Sequence, residues 1–76
     1  MPKNLTQLLA KTFRINAESI SSNLTMDDIP GWDSLTHMDL IVALEQQYGF
    51  ILTGDEIADL KSVQAISNII EKKSGS

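Results

Sequence analysis

The chain has no cysteine, which excludes disulfide bonds, thiolate metal sites and a cysteine nucleophile. Any thioester chemistry therefore needs a thiol from outside the polypeptide. Basic residues are few, 6 against 10 acidic ones, and the net charge of -4 disfavours nucleic acids and anionic membrane surfaces as partners. No apolar run approaches the ~18 residues that a membrane-spanning helix needs, and the N-terminus has no signal-peptide pattern. We expect a cytoplasmic protein.

The chain is also short. Its 76 residues predict a single monomeric domain, with an ordered core over about residues 4–72 and a flexible tail at 73–76. A domain of this size buries only about 60% of the surface of its unfolded chain, so a deep catalytic cleft is not expected. The apolar content of 42% is nevertheless sufficient for a folded core.

Apolar residues at helical spacing predict three longer helices and one short helix. The four segments span residues 4 to about 14, 34–48, about 55–60 and about 63–72. A residue that can cap a helix stands at or just before the start of each segment: Asn4, Asp33, Thr53 and Ser62. The fold prediction is an all-α four-helix bundle with a long loop between helices 1 and 2.

The long loop, residues 15–33, is rich in Ser, Asn, Thr and Asp and still contains well-spaced apolar residues. Ile20, Leu24 and Ile29 are predicted to anchor it on the helices. Trp32 is predicted to fill the core beneath the loop, and the alternative is that it contacts a group attached to the neighbouring serine. Loops of this length in compact domains are usually functional. We therefore expect an ordered loop that presents its last residues at a defined position.

Residues 31–35 join this loop to the most apolar helix. Pro30 and Gly31 mark a turn, and Asp33 is expected to cap the helix with its carboxylate. Ser34 then becomes the first or second helical residue, with its hydroxyl outward. Free amides and the positive end of the helix dipole would face an anionic group carried there.

The apolar residues of helix 2 form two stripes. Leu40, Ile41, Leu44 and Tyr48 lie on one face, which is expected to pack in the core. A second stripe, on the side of Ser34, is predicted to dock partners together with the charged residues beside it. The predicted docking residues are Asp33, Leu35, Met38, Asp39, Val42 and Glu45. The alternative, equally weighted for Val42, is that helix 3 or the loop covers this stripe.

Ser34, His37 and Asp39 do not form a catalytic triad, because Asp39 lies about 160° around the helix axis from His37. His37 is predicted to be a surface or packing residue. The aspartates of the loop do not match a calcium-binding loop, so no metal site is predicted. No catalytic residue is predicted either.

The tripeptide Asp33-Ser34-Leu35, followed by a long apolar helix and by residues 60–66, resembles the acyl carrier proteins. The resemblance covers residues 5–70. It implies that a phosphopantetheinyl transferase attaches 4'-phosphopantetheine to Ser34. The terminal thiol of that arm would hold acyl groups as thioesters for acyl-loading and acyl-transfer enzymes with basic docking patches.

The resemblance leaves several functions open. Fatty-acid, polyketide and specialised acyl pathways all use such carriers, and peptidyl or aminoacyl carriers are an alternative. Trp32 and the less acidic residues 36–38 favour a stand-alone carrier of a specialised pathway. A helical adaptor with an unmodified Ser34 is another alternative. A DNA-binding helix-turn-helix is disfavoured by the acidic charge and the long first connection.

Overall fold

The computed structural model describes residue 2 and residues 4–74, and this part of the chain is helical. The helices are α1 (Leu5–Phe13), α2 (Ser34–Tyr48), α3 (Gly54–Asp59) and α4 (Val63–Ser74), with a 3-10 helix at Ala17–Ser19. No strand occurs among the described residues. The predicted all-α fold, with three longer helices, one short helix and a long first connection, is confirmed.

Three of the four predicted caps form, and the fourth does not. Asp33, Thr53 and Ser62 each accept a hydrogen bond from an amide in the first turn of the following helix. Asn4 precedes α1 but makes no side-chain capping bond, so its predicted role is wrong. With φ at 70°, Asn4 lies in the left-handed region, whereas a capping residue normally has an extended backbone.

The last helix ends later than expected. α4 continues to Ser74, two residues beyond the predicted end at Lys72, so the predicted flexible tail is wrong at 73–74. The Lys73 ammonium lies 2.9 Å from the Glu56 carboxylate and donates to the Ile51 carbonyl at 2.9 Å, which holds this last turn against the start of α3. Gly75 and Ser76 lie outside the described residues.

The core contains the predicted inner face of α2 and apolar residues of the other helices. Its most deeply buried side chains are Leu5, Leu9, Leu40, Leu44, Leu60, Val63, Ile66 and Ile70. Tyr48, which was also expected to face inward, is partly buried and packs against this cluster, as does Ile69. Over the described residues, none of the helices combines the length and apolarity that a bilayer crossing requires.

The long connection is held in place by backbone hydrogen bonds as well as by its apolar anchors. Ile20 and Ile29 are buried, and Leu24 is partly buried against the core, as predicted. The Met26 amide donates to the Lys61 carbonyl at 2.8 Å, and the Val63 amide donates to the Leu24 carbonyl at 2.9 Å. These bonds tie the loop to the start of α4 and therefore fix the end of the loop that leads into α2.

The two faces of α2 should respond differently to the same truncation. Leu44 is 0% exposed and Leu35 is 78% exposed. Leu44→Ala should lower the free energy of unfolding by about 2–5 kcal/mol, because it leaves a cavity in the core. Leu35→Ala, the matched control, should change it by less than about 0.5 kcal/mol. Urea denaturation followed by circular dichroism measures both values, and equal losses would show that the faces are wrongly assigned.

Candidate functional site

A tight turn at the end of the loop sets the direction in which α2 starts. Gly31 has φ at 86°, a left-handed conformation that glycine adopts without strain. The turn sends the Trp32 side chain into the core, where only 6% of it is exposed and its ring lies 4.9 Å from that of Phe13. The predicted core role of Trp32 is confirmed, and the residues that follow it face solvent.

Asp33 caps α2 as predicted. Its Oδ1 accepts hydrogen bonds from the Leu35 amide at 3.0 Å and the Thr36 amide at 2.9 Å. In return, the Asp33 amide donates to the Thr36 hydroxyl at 2.9 Å, which completes a capping box. The hydrogen bond from the Thr36 amide is the largest of the effects that lower the pKa of the Asp33 carboxyl, because it stabilises the charged form.

Thr36 was missed in the sequence because Glu or Gln normally occupies the third position of a capping box. The spacing of Asp33 and Thr36 was the available signal. Free amides in the first turn of α2 were expected to face an anionic group on Ser34. The amides of Leu35 and Thr36 instead donate to the Asp33 carboxylate, so these two amides are not free to bind such a group.

Ser34 is the first residue of α2 and its side chain is exposed. Among the described residues, none forms a hydrogen bond with its hydroxyl. Modification of this oxygen would therefore break no internal bond and displace no packed side chain. The local structure fits a bulky group attached covalently at Ser34, and the covalent bond rather than the helix dipole would hold the group.

His37, one turn after Ser34, joins the loop to α3. The Trp32 Nε1–H donates to His37 Nδ1 at 3.0 Å, and His37 Nε2 lies 2.8 Å from the Ile57 carbonyl oxygen. A neutral ring with its proton on Nε2 satisfies both contacts. Both nitrogens are thus engaged away from Ser34, and His37 is a packing residue. The contact with Ile57 carried no sequence signal, because it joins residues 20 positions apart.

The second stripe of α2 is exposed rather than covered. Leu35 is 78% exposed, Met38 53% and Val42 50%, and we call these three residues the α2 patch. The alternative that α3 or the loop covers Val42 is therefore wrong. The patch lies on the same side of the helix as Ser34, as expected from the helical period.

The three predicted acidic docking residues differ in their surroundings. Asp33 is exposed but serves as the helix cap, and Asp39 is exposed beside the groove between α1 and α2. Glu45 is partly buried, and its Oε2 accepts from the Leu52 amide at 2.9 Å. Part of the Glu45 carboxylate therefore holds the connection after α2. Among the described residues, no group of three or more His, Asp and Glu side chains could hold a metal ion.

The fold and the site together define a class of protein. A small helical bundle exposes one unbonded serine hydroxyl at a helix start, next to an apolar patch. This arrangement suits a domain that carries a covalently attached group and presents it to other proteins.

The comparisons with known proteins agree with this class. The family model described as a phosphopantetheine attachment site matches residues 3–70. The chain belongs to this family of phosphopantetheine-bearing acyl carrier proteins, so the resemblance stated above is confirmed.

Two relatives are named acyl carrier proteins. One, from Buchnera aphidicola subsp. Baizongia pistaciae (strain Bp), is 31% identical over 71 residues, which cover 92% of this chain and 90% of the relative. The other, from Solidesulfovibrio magneticus (strain ATCC 700980 / DSM 13731 / RS-1), is 25% identical over 73 residues, covering 96% of this chain and 94% of the relative.

The Asp33 cap should make part of the stability depend on pH. Since the pKa of Asp33 lies below its ordinary value of 3.8 in the folded protein, the carboxylate stabilises the fold above pH 3.8. This contribution is lost as the pH falls through the folded pKa. Asp33→Asn keeps an oxygen that can cap the helix but has no charge to lose. The melting temperature of this variant should lie below that of the wild-type protein at neutral pH. The difference between the two melting temperatures should narrow below pH 3.8. A gap that widens in acid would contradict this assignment.

Proposed function

We propose that Ser34 carries the 4'-phosphopantetheine arm and that the protein presents acyl groups on this arm to partner enzymes. The observation that carries the proposal is the exposed, unbonded Ser34 hydroxyl at the first residue of α2. Ser34 also occupies the serine position in the Asp33-Ser34-Leu35 tripeptide that resembles the family's attachment motif. The family match over residues 3–70 supports the presence of such a site.

The other described serines are less suitable for attachment. Ser62 uses its hydroxyl oxygen to cap α4, and Ser67 is buried. Ser19 and Ser74 each donate to a backbone carbonyl. Ser21 and Ser22 are exposed, but they lie in the middle of the long loop, far along the chain from α2. Ser34 therefore combines exposure with a position fixed by the helix and its cap.

In the attachment reaction, the Ser34 oxygen would attack the phosphorus next to the pantetheine part of coenzyme A. A new phosphorus–oxygen bond forms, the bond to the nucleotide part of coenzyme A breaks, and the hydroxyl proton passes to a base of the transferase. The role of this chain is to hold the hydroxyl in place. Asp33 and Thr36 fix the helix start, and the buried Trp32 anchors the preceding loop.

The attached group supplies a terminal thiol, which the cysteine-free chain lacks and which forms thioesters with acyl groups. The chain itself makes and breaks no bonds in this proposal. Its contribution is to tether the acyl group, which raises the local concentration of that group at a docked enzyme without new contacts.

Partner enzymes would dock on the face of α2 that bears Ser34. The α2 patch provides apolar contact area, and Asp33, Asp39 and Glu45 place negative charge around it. A basic surface on the partner is complementary to these charges and to the net charge of -4. The transferase and the acyl-loading and acyl-transfer enzymes would share this face, because each must reach Ser34.

We place the carrier in an acyl pathway of the fatty-acid, polyketide or specialised type. A monomer in the cytoplasm remains the expectation. A peptidyl or aminoacyl cargo is the alternative within carriers, whereas the family match disfavours an adaptor with an unmodified Ser34. The mass of the group attached to the protein isolated from its own cell would identify the cargo.

Attachment at Ser34 is tested by intact mass. After incubation with coenzyme A and a broad-specificity transferase, the wild-type protein should gain the mass of one phosphopantetheine group. Ser34→Ala should gain none and should change the free energy of unfolding by less than about 1 kcal/mol, because the lost hydroxyl is exposed. Ser22→Ala, which removes another exposed hydroxyl, should still be modified in full. A Ser34→Ala protein that gains the full mass would refute the proposal.

The docking face is tested by a matched pair of exposed apolar residues. Met38 is 53% exposed on the α2 patch, and Ile51 is 81% exposed in the connection after α2. Met38→Gln should lower kcat/KM for the transferase by about tenfold, about 1.4 kcal/mol of transition-state binding. Ile51→Gln should leave kcat/KM within about twofold, and both variants should keep their melting temperature. Equal losses of kcat/KM would show that the α2 patch has no special role.

A further inference from the structure

Two side chains on either side of Ser34 are joined by a hydrogen bond. Trp32 precedes Ser34 and His37 follows it, and the indole Nε1–H donates to His37 Nδ1 at 3.0 Å. The bond closes residues 33–36 into a loop of chain in which Ser34 is exposed. Any role of this bond in the attachment reaction rests on the proposed attachment at Ser34.

Both partners of this bond are fixed to other parts of the bundle. The Trp32 side chain is 6% exposed, and its ring lies 4.9 Å from the ring of Phe13 in α1. The second nitrogen of His37, Nε2, lies 2.8 Å from the Ile57 carbonyl oxygen in α3. Two side chains next to Ser34 therefore connect the start of α2 to α1 and to α3.

α3 is itself held in place, so the Ile57 carbonyl is a firm anchor. Glu56, the preceding residue, accepts from the Thr53 amide at 2.9 Å and pairs with Lys73 of α4 at 2.9 Å. Just after α3, Leu60 is 2% exposed in the core. The imidazole ring that contacts this carbonyl therefore ties the start of α2 to a fixed element.

His37 does not serve as the base of the attachment reaction. The Ile57 carbonyl can only accept, so the ring proton lies on Nε2, and the lone pair of Nδ1 accepts from the Trp32 N–H. No acceptor is left on the ring for the proton of Ser34. The ring can therefore act on Ser34 only through the position of the chain around it.

We propose that His37 is a positioning residue for the attachment of phosphopantetheine. Its two hydrogen bonds hold the chain around Ser34 in one orientation, so that the hydroxyl is aligned when a transferase docks. Without the ring, the Trp32 N–H would be buried without a partner, which favours a shift of the loop end. A displacement of about 1 Å in a reacting group can cost about a hundredfold in rate.

The test measures phosphopantetheine transfer from coenzyme A to matched variants. His37→Leu removes both hydrogen bonds, whereas His37→Gln keeps one acceptor and one donor, which can restore them. Ile66→Val is the control for lost stability, because it trims a side chain of α4 that is 0% exposed. All proteins are compared well below their melting temperatures.

We expect His37→Leu to lower the kcat of the transferase about tenfold. Its KM should stay within about twofold of the wild-type value, because the α2 patch is unchanged. His37→Gln should bring kcat back to within about threefold of the wild-type value, and Ile66→Val should keep it.

A second readout reports on the bond itself. The chain has one tryptophan, so its indole N–H gives a single proton resonance. The resonance should move in His37→Leu and return towards the wild-type shift in His37→Gln. If His37→Leu does not fold, Trp32→Phe takes its place with the same expected loss of kcat, because it removes the donor of the same bond.

Three results would overturn the inference while leaving attachment at Ser34 intact. They are a kcat of His37→Leu within about twofold of the wild-type value, an equal loss of kcat in Ile66→Val, and a His37→Gln protein that restores the indole resonance but not kcat. A wild-type protein that gains no phosphopantetheine mass would instead refute the proposed function.

Discussion

The capping box between Asp33 and Thr36 determines where α2 begins, and the rest of the site depends on that position. Because the Asp33 carboxylate holds the amides of Leu35 and Thr36, Ser34 is the first helical residue and its hydroxyl faces solvent. The helical period then places the α2 patch on the same side and the core leucines on the other. If α2 began one residue later, its core face and the α2 patch would keep their directions. Ser34 would then lie in the loop, where its position would be less well defined.

The cap acts together with two aromatic contacts of Trp32. Trp32 packs on Phe13 and bonds to His37, and His37 reaches the carbonyl of Ile57. The loop, α2 and α3 therefore meet at one polar junction next to the proposed attachment site. A small domain buries little apolar surface, so its core alone fixes the relative positions of the helices less firmly. The hydrogen bonds of this junction add specific contacts that hold the loop, α2 and α3 together.

The chemistry of the protein follows from what its side chains lack and from what the surface offers. A cysteine-free acidic chain has no thiol side chain, but it has one well-placed hydroxyl and an exposed apolar patch rimmed by carboxylates. These features suit a protein whose reactive group is attached after synthesis and whose specificity lies in docking. The membership of the acyl carrier protein family agrees with this division of roles between carrier and enzyme.

The sequence alone determined the features that depend on neighbours within one or two helical turns. The helices, the caps at Asp33, Thr53 and Ser62, the exposed stripe of α2 and the position of Ser34 were all predictable, since periodicity and capping are local. Only the tertiary structure decided the contacts between distant segments: His37 with Ile57, and Lys73 with Glu56. It also placed Asn4 in a left-handed conformation and extended α4 to Ser74. The contacts between distant segments depend on how the helices pack against one another, which no local pattern of residue types encodes.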